Sequence, residues 1–557
     1  MGFRLLLISF SIRYGVFLDA LLCVLLLSRV IVPRQLNLIL LLLSSMLIQA
    51  ADPAFGVFAA IWFSLIPACF LIQRTPRLRS LFGYGLFLGL LVSMGIFSWL
   101  YEAMVVFWEV PGLLALPVFG LLVFLLALPY GVFTLLTGMI HSRTDIPLGF
   151  VAAVVFALVE FWTPYPVKGQ WALAQTWVPA LIQVSDLAGM PGVTLLLALV
   201  NGLLFESVRA MWQKPRSRAA RLAMVAVCIL LAQVIYGLWC LQAYEPHQSD
   251  PSIRVAMIQP VSPLKVLNSD GETKKEIADT LLALSLAAVT QFDSTPDLLI
   301  WPEGAAPVSY QSPAFNSEFI DVIRDFHARS PVPLFIQDIE FPNVSREPHE
   351  RIRYYNHTSL IQSDGTLQAG YRKNCLLPMA EYLPWERSLP LLRKCFPQTR
   401  SLLPGTEMKL IEGVGSPFVP LVCYELVFSD FVRRFVRKGG TYIVNVTNDR
   451  WYGVDQQPYQ HLAYAVFRAV ENRRPVVRAT NSGISAFVDS RGVIRKGERT
   501  HIMQRTALSA TVYPSNTKSF YSRYGDLILK WGVTPLVLIV FTLRLRIAKK
   551  AKAKGIS

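Results

Sequence analysis

Long apolar stretches crowd the first 242 residues of the chain, and one more lies near its C-terminus. An α-helix needs roughly 20 apolar residues to cross the hydrocarbon core of a bilayer. Only 16% of the residues are charged, against about 25% in a soluble domain, which excludes an ordinary soluble enzyme. The sequence therefore predicts a multi-pass α-helical membrane domain. We identify eight candidate spans: Leu36–Gln49, Phe55–Ile72, Leu81–Tyr101, Leu113–Ile140, Pro147–Trp162, Pro179–Phe205, Leu222–Leu241 and Leu527–Leu543.

Lysines and arginines in the connectors between these spans indicate the orientation. Counting through the spans places five cationic groups on one side of the membrane. Cytoplasmic connectors carry an excess of Lys and Arg, so this side is the cytoplasm, and residues 251–522 are expected on the opposite face. The net charge of +16 thus reflects topology, and we expect no binding of nucleic acid. The five groups are Arg29 and Arg34; Arg74, Arg77 and Arg79; Arg143; Lys214, Arg216, Arg218 and Arg221; and Arg544, Arg546, Lys549, Lys550, Lys552 and Lys554.

These patterns divide the chain into five segments. The first contains the run Leu5–Leu27, which is interrupted by Arg13 and Asp19. This run is compatible with a ninth helix, an interfacial helix or a signal segment, and the lack of a small-residue cleavage pattern disfavours the last. The segments are an apolar extension (1–35), a membrane domain of about seven transmembrane helices (36–245), an extramembrane domain (251–522), a last transmembrane helix (523–545) and a basic cytoplasmic tail (546–557).

Charged residues return at ordinary density between Pro251 and Ser522, where short β-branched runs alternate with amphipathic stretches. This alternation predicts an α/β domain. Expected strands are Ile253–Gln259, Leu298–Trp301, Pro333–Gln337, Thr358–Gln362, Gly365–Tyr371, Val419–Cys423, Tyr442–Val446, Val476–Thr480 and Ser485–Asp489. Expected helices are Thr273–Thr290, Asn316–Ala328, Asp430–Arg437 and Tyr459–Asn472.

Three polar residues with complementary chemistry stand at the ends of predicted strands: Glu303, Lys373 and Cys423. Side chains at the carboxyl ends of strands line the ligand crevice of α/β domains. A thiolate is the attacking form of cysteine; a nearby cation favours it, and a carboxylate can take the thiol proton. Taken singly, each residue has a structural alternative: Glu303 as a capping or salt-bridged carboxylate, Lys373 as a solvated surface cation, and Cys423 as a small buried hydrophobe.

The motifs around these residues resemble those of the carbon–nitrogen hydrolase (nitrilase) superfamily, whose members use a Glu-Lys-Cys triad in an αββα sandwich. With its helical membrane domain, the chain as a whole resembles the apolipoprotein N-acyltransferase family. That family usually has Phe-Gly where this chain has Met379-Ala380, and Ser or Thr where it has Gly304. The motifs are Trp301-Pro-Glu303, Tyr371-Arg-Lys373, Glu381-Tyr-Leu-Pro384, Cys423-Tyr-Glu425, Thr447-Asn-Asp-Arg-Trp-Tyr-Gly453 and Arg478-Ala-Thr-Asn-Ser-Gly483.

The resemblance implies an activity and its partners. Members of the family transfer a fatty acyl chain from a membrane phospholipid, through a cysteine thioester, to the α-amine of the N-terminal diacylglyceryl-cysteine of an apolipoprotein. It implies Glu303 as general base and acid, Lys373 as oxyanion stabiliser and Cys423 as nucleophile, with no metal and no cofactor. It also implies a bacterial inner-membrane protein whose catalytic domain is periplasmic, and we expect a monomer.

The resemblance also implies residues that support the triad. Glu381 would hold the lysine and the glutamate of the triad in register. Tyr424 and Glu425 would shape the entrance of an acyl pocket, and a structural salt bridge is the alternative for each of the two carboxylates. Trp451 and Tyr452 would contact lipid, unless these loop aromatics only cap the core.

Apolar residues after Lys373 suggest a lid that dips into the lipid surface and excludes water. The alternative is a loop packed on its own domain. Pro384 would contact substrate beside this lid. The lid residues are Leu376, Leu377, Trp385, Leu389, Leu391 and Leu392.

Two rival functions remain open. A membrane-tethered amidase would use the same triad with water in place of the acceptor amine. A transporter or scaffold is disfavoured, because few charges lie inside the spans and the triad is complete. Cys375 and Cys395 either form a disulfide or remain two thiols. Glu160, at the outer end of its span, serves either as a lid contact or as an interfacial anchor.

Overall fold

The structure is a computed structural model that describes residues 33–553, except 108, 165–170, 214–215, 265–269, 291–294, 313–314, 343–352, 387 and 397–398. The predicted run Leu5–Leu27 and the end of the basic tail lie outside the described residues.

The N-terminal half is helical throughout. Within the described residues, four helices are long and apolar enough to cross a membrane: Leu78–Ile96, Gly112–His141, Ser185–Gln213 and Arg216–Ala243. Shorter apolar helices cover 34–50, 58–74 and 148–162, so the count of eight spans stays a prediction. The helices are α1 (Pro33–Ala50), α2 (Leu65–Arg74), α3 (Leu78–Ile96), α4 (Trp99–Glu102), α5 (Gly112–His141), α6 (Leu148–Trp162), α7 (Pro179–Ile182), α8 (Ser185–Gln213) and α9 (Arg216–Ala243).

Two of the predicted spans are interrupted in the structure. The stretch Phe55–Ile72 forms a 3-10 helix at Phe58–Phe63 before α2 begins. The stretch Pro179–Phe205 is divided between α7 and α8, and α8 is kinked at Gly189, where φ is +66°. A Cβ atom at Gly189 would lie 2.6 Å from a ring carbon of Tyr521. Both the positive φ and this close approach require glycine, which periodicity does not reveal.

Small residues allow the membrane helices to pack closely. Where α6 crosses α8, a Cβ atom on Gly149 would lie 2.2 Å from the carbonyl oxygen of Gly202. The hydrophobic effect does not drive helices together within lipid, so close backbone packing and interhelical hydrogen bonds stabilise their association instead. The Glu206 carboxylate on α8 accepts a hydrogen bond of 2.9 Å from the Gly149 amide at the same crossing.

The C-terminal half contains two β-sheets. The strand order is β10-β1-β2-β3-β4-β5 in one sheet and β6-β7-β8-β9 in the other. The predicted strands are confirmed, and β1 and β8 begin and end at the predicted residues. The strands are β1 (Ile253–Gln259), β2 (Leu298–Ile300), β3 (Leu334–Glu340), β4 (Tyr355–Ile361), β5 (Leu367–Arg372), β6 (Phe418–Val422), β7 (Tyr442–Thr447), β8 (Val476–Thr480), β9 (Ala486–Val488) and β10 (Thr506–Val512).

The two sheets face each other between two layers of helices. In β1, Val255 and Met257 belong to the core between the sheets, whereas Ala256 and Ile258 pack under the helices. This alternation follows from the two-residue period of a strand and gives the αββα sandwich that the resemblance implies. The helices are α10 (Gly271–Thr290), α11 (Ser317–Arg329), α12 (Leu391–Cys395), α13 (Ser429–Arg437), α14 (Gln457–Asn472), α15 (Phe520–Tyr524) and, after the sandwich, α16 (Thr534–Ala553).

Helix α14 joins the sandwich to the membrane domain through buried polar contacts. Gln460 donates to the Asp52 carboxylate at 2.9 Å and accepts from the Trp99 indole at 3.2 Å. Just beyond the end of α14, the Arg473 guanidinium forms an ion pair of 2.5 Å with Asp186 at the start of α8. Buried charges must be paired to avoid a large desolvation penalty, so these contacts fix one orientation of the two domains.

Candidate active site

Cys423 begins a 3-10 helix directly after β6 and is almost fully buried. Its φ of +53° lies in the left-handed region, which costs a non-glycine residue about 1–3 kcal/mol and is typical of functional sites. Burial, together with the Glu303 carboxylate, raises the pKa of the Cys423 thiol well above its usual value, and Lys373 opposes this shift. The resting thiol is therefore protonated and needs a base in order to attack.

Glu303 lies three residues beyond β2 and is also buried. The Asn356 side-chain amide on β4 donates a hydrogen bond of 2.8 Å to Glu303 Oε1. Burial raises the pKa of Glu303; the Lys373 ammonium opposes the shift and the Glu381 carboxylate adds to it. A carboxylate with a raised pKa is matched to general acid–base work near neutral pH.

Lys373 follows β5, and only 1% of its surface is exposed. Its Nζ atom lies 2.7 Å from Glu381 Oε1. Burial alone would lower the pKa of Lys373, but the carboxylates of Glu381 and Glu303 outweigh burial and raise it, so the side chain carries a proton. The second oxygen of Glu381 accepts a hydrogen bond of 2.8 Å from the Leu377 amide, which ties the following loop to this ion pair.

The structure brings the three predicted residues together. β2, β5 and β6 end one to three residues before Glu303, Lys373 and Cys423, respectively. Asn356 donates to Glu303 at 2.8 Å and to Glu381 at 3.4 Å, and Glu381 contacts Lys373. Glu425 accepts from the amides of Val422 and Asn374, the neighbours of Cys423 and Lys373. A protonated thiol, a buried carboxylate and a buried ammonium group supply a nucleophile, a base and an oxyanion-binding cation.

Glu425 lies in the interior rather than at the surface of an entrance. Its Oε1 atom accepts hydrogen bonds from the Tyr371 hydroxyl at 2.7 Å and from the amides of Asn374 and Cys375 at 2.7 and 3.0 Å. Its Oε2 atom accepts from the Val422 amide at 2.9 Å. Burial raises the pKa of Glu425 to about 7, and these donors oppose the shift. One side chain thus joins the strand before Cys423 to the loop after Lys373.

A polar network behind Cys423 was not foreseen. The Asn445 side-chain amide on β7 donates to the carbonyl oxygens of Leu421 and Cys423, each at 3.3 Å. Arg478 on β8 donates to Asn445 Oδ1 at 2.7 Å, which fixes the orientation of the amide, and also pairs with Asp449 at 2.6 Å. The signal was an Asn and an Arg inside two otherwise apolar strands.

His461 on α14 completes this network. Its Nδ1 atom lies 2.9 Å from Asp449 Oδ1, and its Nε2 atom lies 3.3 Å from the Cys423 carbonyl oxygen. Burial, with the Arg478 cation, lowers the pKa of His461, and Asp449 opposes the shift. Helix α14, which contacts the helical domain through Gln460, therefore also contacts Cys423.

The predicted lipid-contact residues occupy different environments. Trp385 is 74% exposed and has a φ of +56°, and Pro384 beside it is half-buried. Trp451 lies under the Arg400 guanidinium at 4.8 Å. Tyr452 is buried and packs edge-on against Trp99 of α4, with ring centroids 5.3 Å apart. Tyr452 thus belongs to the junction between the domains. Tyr424, also predicted, is buried and stacks edge-on with Phe428.

Two further predictions concern the pair Cys375 and Cys395, and Glu160 near the end of α6. Of the two alternatives for Cys375, a disulfide with Cys395 or a thiol, the structure has the free thiol; the side chain of Cys395 itself lies outside the described part. Glu160 Oε1 accepts a hydrogen bond of 2.8 Å from the Trp171 amide. Within the described residues, His, Cys, Asp and Glu form no group arranged to hold a metal ion.

Comparison with known proteins agrees with this geometry. Residues 254–507 match the carbon–nitrogen hydrolase model, and residues 44–203 match the model of the apolipoprotein N-acyltransferase N-terminal domain. An apolipoprotein N-acyltransferase from Geobacter metallireducens is 30% identical over 92% of this chain and 96% of its own length. Apolipoprotein N-acyltransferase 2 from Leptospira interrogans is 25% identical over 85% of this chain and 88% of its own.

Among solved structures, a nitrilase-superfamily amidase from Nesterenkonia is 19% identical and covers 51% of this chain and 98% of its own, with a TM-score of 0.35. The two domain matches together span both halves of the chain. On the full-length match to the Geobacter relative, this chain belongs to the apolipoprotein N-acyltransferase family.

Proposed function

We propose that the chain transfers a fatty acyl group from a membrane phospholipid to the N-terminal diacylglyceryl-cysteine of apolipoproteins through a thioester on Cys423. The observation that carries this proposal is the buried cluster of Glu303, Lys373 and Cys423 in a chain whose other half is a membrane domain of this family. Both substrates keep their acyl chains in the bilayer. A soluble-type active site must therefore be held against the lipid surface to reach them.

In the first half-reaction, Glu303 takes the proton of the Cys423 thiol while Sγ attacks the ester carbonyl of the phospholipid. Lys373 Nζ and the backbone N–H of Tyr424 stabilise the oxyanion. The tetrahedral intermediate collapses by breaking the ester C–O bond, and Glu303 returns its proton to the departing alkoxide. The products are the thioester and a lysophospholipid.

In the second half-reaction, the α-amine of the acceptor attacks the thioester carbonyl. Glu303 takes a proton from the amine, and Lys373 again stabilises the oxyanion. The C–S bond breaks, an amide is released, and Glu303 returns the proton to the Cys423 thiolate. Water competes with the amine at this stage, so a lid formed by the loop after Lys373 would protect the thioester.

The proposal includes a membrane placement. Residues 36–245 and 523–545 cross the inner membrane, residues 251–522 face the periplasm, and residues 546–557 lie in the cytoplasm. The enzyme acts as a monomer. The buried ion pair of Arg473 with Asp186 supports a fixed orientation of the catalytic domain on the membrane helices.

The decisive experiment uses the purified full chain and a phospholipid with a labelled acyl chain. We expect a hydroxylamine-labile label on the wild-type protein and none on Cys423→Ala. Cys375→Ala is the matched control, because it removes another free thiol of the same domain and should label normally. A label that survives in Cys423→Ala would refute the assignment of the nucleophile.

Glu303→Gln tests the base. We expect acyl-enzyme formation to slow by about 10²- to 10⁴-fold, the usual contribution of a general base. Because burial raises the pKa of Glu303 and the base must be ionised, wild-type acylation should decline on acidification at a pH above the ordinary glutamate pKa of about 4.3. Normal thioester accumulation in Glu303→Gln would refute this role.

The same triad could serve an amidase, and the acceptor distinguishes the two activities. Addition of a diacylated lipopeptide to the labelled thioester should give a labelled amide on the peptide. Release of free fatty acid at the same rate with and without the lipopeptide would favour the amidase.

A further inference from the structure

Exposed tryptophans lie near the ends of several helices on the surface of the helical domain. Trp162 ends α6 and Trp239 lies in the last turns of α9, and more than half of each side chain is exposed. Trp531, just before α16, is 69% exposed. Trp162 also donates a hydrogen bond of 3.3 Å to Thr534 Oγ1 at the start of α16. Tryptophan concentrates where a membrane meets water, so this belt indicates the outer membrane boundary.

A group of cations lies beside this belt. Helix α13 is strongly amphipathic: its apolar side chains, among them Phe431 and Phe435, are buried, whereas Arg434 and Arg437 are exposed. Arg433 on this helix donates to the carbonyl oxygen of Arg523 at 3.4 Å, which holds α13 against the segment leading into α16. Four exposed side chains form what we call the cationic surface: Arg434, Arg437, Arg523 and Lys530.

Negative charge on this surface is scarce. Asp430 pairs with Arg433 at 2.5 Å and with Arg434 at 3.2 Å, and Asp526 is turned inward, with only part of its surface exposed. Within the described part of the chain, Arg437, Arg523 and Lys530 have no ion-pair partner. Several cations without carboxylate partners beside a tryptophan belt match the chemistry of anionic phospholipid head groups.

The cationic surface also adjoins the active site. Phe435 on α13 packs edge-on against Tyr371, with ring centroids 5.6 Å apart, and the Tyr371 hydroxyl donates to Glu425. Tyr371 itself lies two residues before Lys373. Lipid phosphates held by α13 would therefore lie beside the loop that follows the triad lysine.

We propose that the cationic surface binds the phosphate groups of anionic phospholipids in the outer leaflet and so holds the catalytic domain against an anionic patch of membrane. This rests on the proposed membrane placement and not on acyl transfer. The occupant is a lipid surface, because Lys530 lies 5.7 Å from the Trp531 ring at the start of a membrane helix, and Arg433 holds α13 against the segment that leads into the same helix.

The test measures lipid preference without catalysis. The full chain is placed in lipid nanodiscs, and electron paramagnetic resonance gives the immobilised fraction of spin-labelled phosphatidylglycerol and phosphatidylcholine. We expect the wild-type protein to prefer phosphatidylglycerol at low salt, and the preference to weaken as salt screens the charges. In Arg434→Glu/Arg437→Glu, the preference should fall by about half or more. Cations on the cytoplasmic side contribute the same background to every variant.

Arg324→Glu/Arg329→Glu is the matched control. It makes the same change of charge at exposed positions of α11, and each of its arginines pairs with an aspartate on its own helix, as Arg434 does. This control should keep the wild-type preference. An unchanged preference in Arg434→Glu/Arg437→Glu, or an equal fall in both double variants, would overturn the proposal. The milder Arg437→Gln should show an intermediate fall.

The catalytic variant Cys423→Ala separates this proposal from the enzymatic one. It should keep the full preference for phosphatidylglycerol while it forms no acyl-enzyme. Absence of labelling in the wild-type protein, with its lipid preference retained, would contradict the acyl-transfer chemistry alone. Normal labelling with no preference in the wild-type protein would contradict the cationic surface alone.

Discussion

The two walls of the candidate active site are constructed differently. On the nucleophile side, Asn445 and Arg478 are fully buried in neighbouring strands and hold the backbone around Cys423 by hydrogen bonds. On the other side, the loop after Lys373 and the start of α12 expose large apolar side chains, among them Trp385 and Leu391. One wall is polar inside and shielded from solvent; the other is apolar and open to it.

This difference separates two requirements of a reaction with two lipid substrates. A strained nucleophile must keep its geometry through both half-reactions, and densely bonded buried networks do this. Large substrates must also enter and leave, which requires an element with few buried contacts. Glu381 connects the two walls, because one carboxylate oxygen contacts Lys373 and the other contacts the start of the loop at Leu377.

The largest effect on stability is expected at the buried ion pair of Arg473 with Asp186, which joins the nucleophile side of the site to the membrane domain. Asp186→Asn removes the carboxylate that pairs with Arg473 and leaves a buried guanidinium without a counter-charge. The free energy of unfolding should fall by about 3–5 kcal/mol, measured as a loss of thermal stability in detergent.

Glu245→Gln is the control for this prediction. Glu245 pairs with Arg491 but is more than half exposed, and exposed pairs contribute about 0–1 kcal/mol. If Asp186→Asn were no less stable than this control, the junction would not share the rigidity of the nucleophile wall.

A smaller effect is expected at Asn445. Asn445→Leu leaves the carbonyl oxygens of Leu421 and Cys423 without their donor and Arg478 without an acceptor. The free energy of unfolding should fall by about 1–3 kcal/mol, the cost of an unsatisfied buried polar group, because Arg478 keeps its ion pair with Asp449. The released backbone should slow acyl-enzyme formation by about 10²-fold.

Asn445→Asp separates positioning from stability. It keeps an acceptor for Arg478 but cannot donate to the two carbonyls, so it should be more stable than Asn445→Leu and still acylate slowly at unchanged KM for the phospholipid. Acylation at the wild-type rate in Asn445→Asp would show that the hold on the Cys423 carbonyl is dispensable.

The sequence predicts most of the strands, and the reasons are local. β2 and β6 are continuous apolar runs; Cys423 follows β6 directly, and Glu303 lies three residues beyond β2. β10 was missed, because its small residues, from Thr506 to Val512, are mostly half-exposed and show no clear alternation. It becomes a strand by pairing with β1, more than 240 residues away in the chain.

The network behind the nucleophile was missed for a related reason. The contacts of Asn445 and Arg478 form only when β6, β7 and β8 are neighbours in one sheet. Asn445 then meets the backbone of Leu421 and Cys423, and Arg478 meets the side chain of Asn445. The sequence alone shows only an asparagine and an arginine, each in an otherwise apolar strand. The kink at Gly189 was missed for the same reason, because the ring that leaves no room for a Cβ atom there belongs to Tyr521, far away in the sequence.

The smallest effect is expected on the open wall, at Trp385. Since its side chain is largely solvent-exposed, Trp385→Ala should change the free energy of unfolding by no more than about 0.5 kcal/mol. Transfer from phospholipid in vesicles should slow a few-fold, because the loop loses an apolar contact with the lipid surface, whereas cleavage of a short, water-soluble ester should not change.

Leu367→Ala is the matched control, as Leu367 is another exposed apolar residue and lies on β5, outside the loop. It should leave both activities unchanged. The two structural alternatives for the loop then predict opposite results. A loop that contacts lipid loses activity only towards vesicles, whereas a loop packed on its own domain loses stability and slows with both substrates. The second pattern in Trp385→Ala would mean that the two walls differ in exposure but not in function.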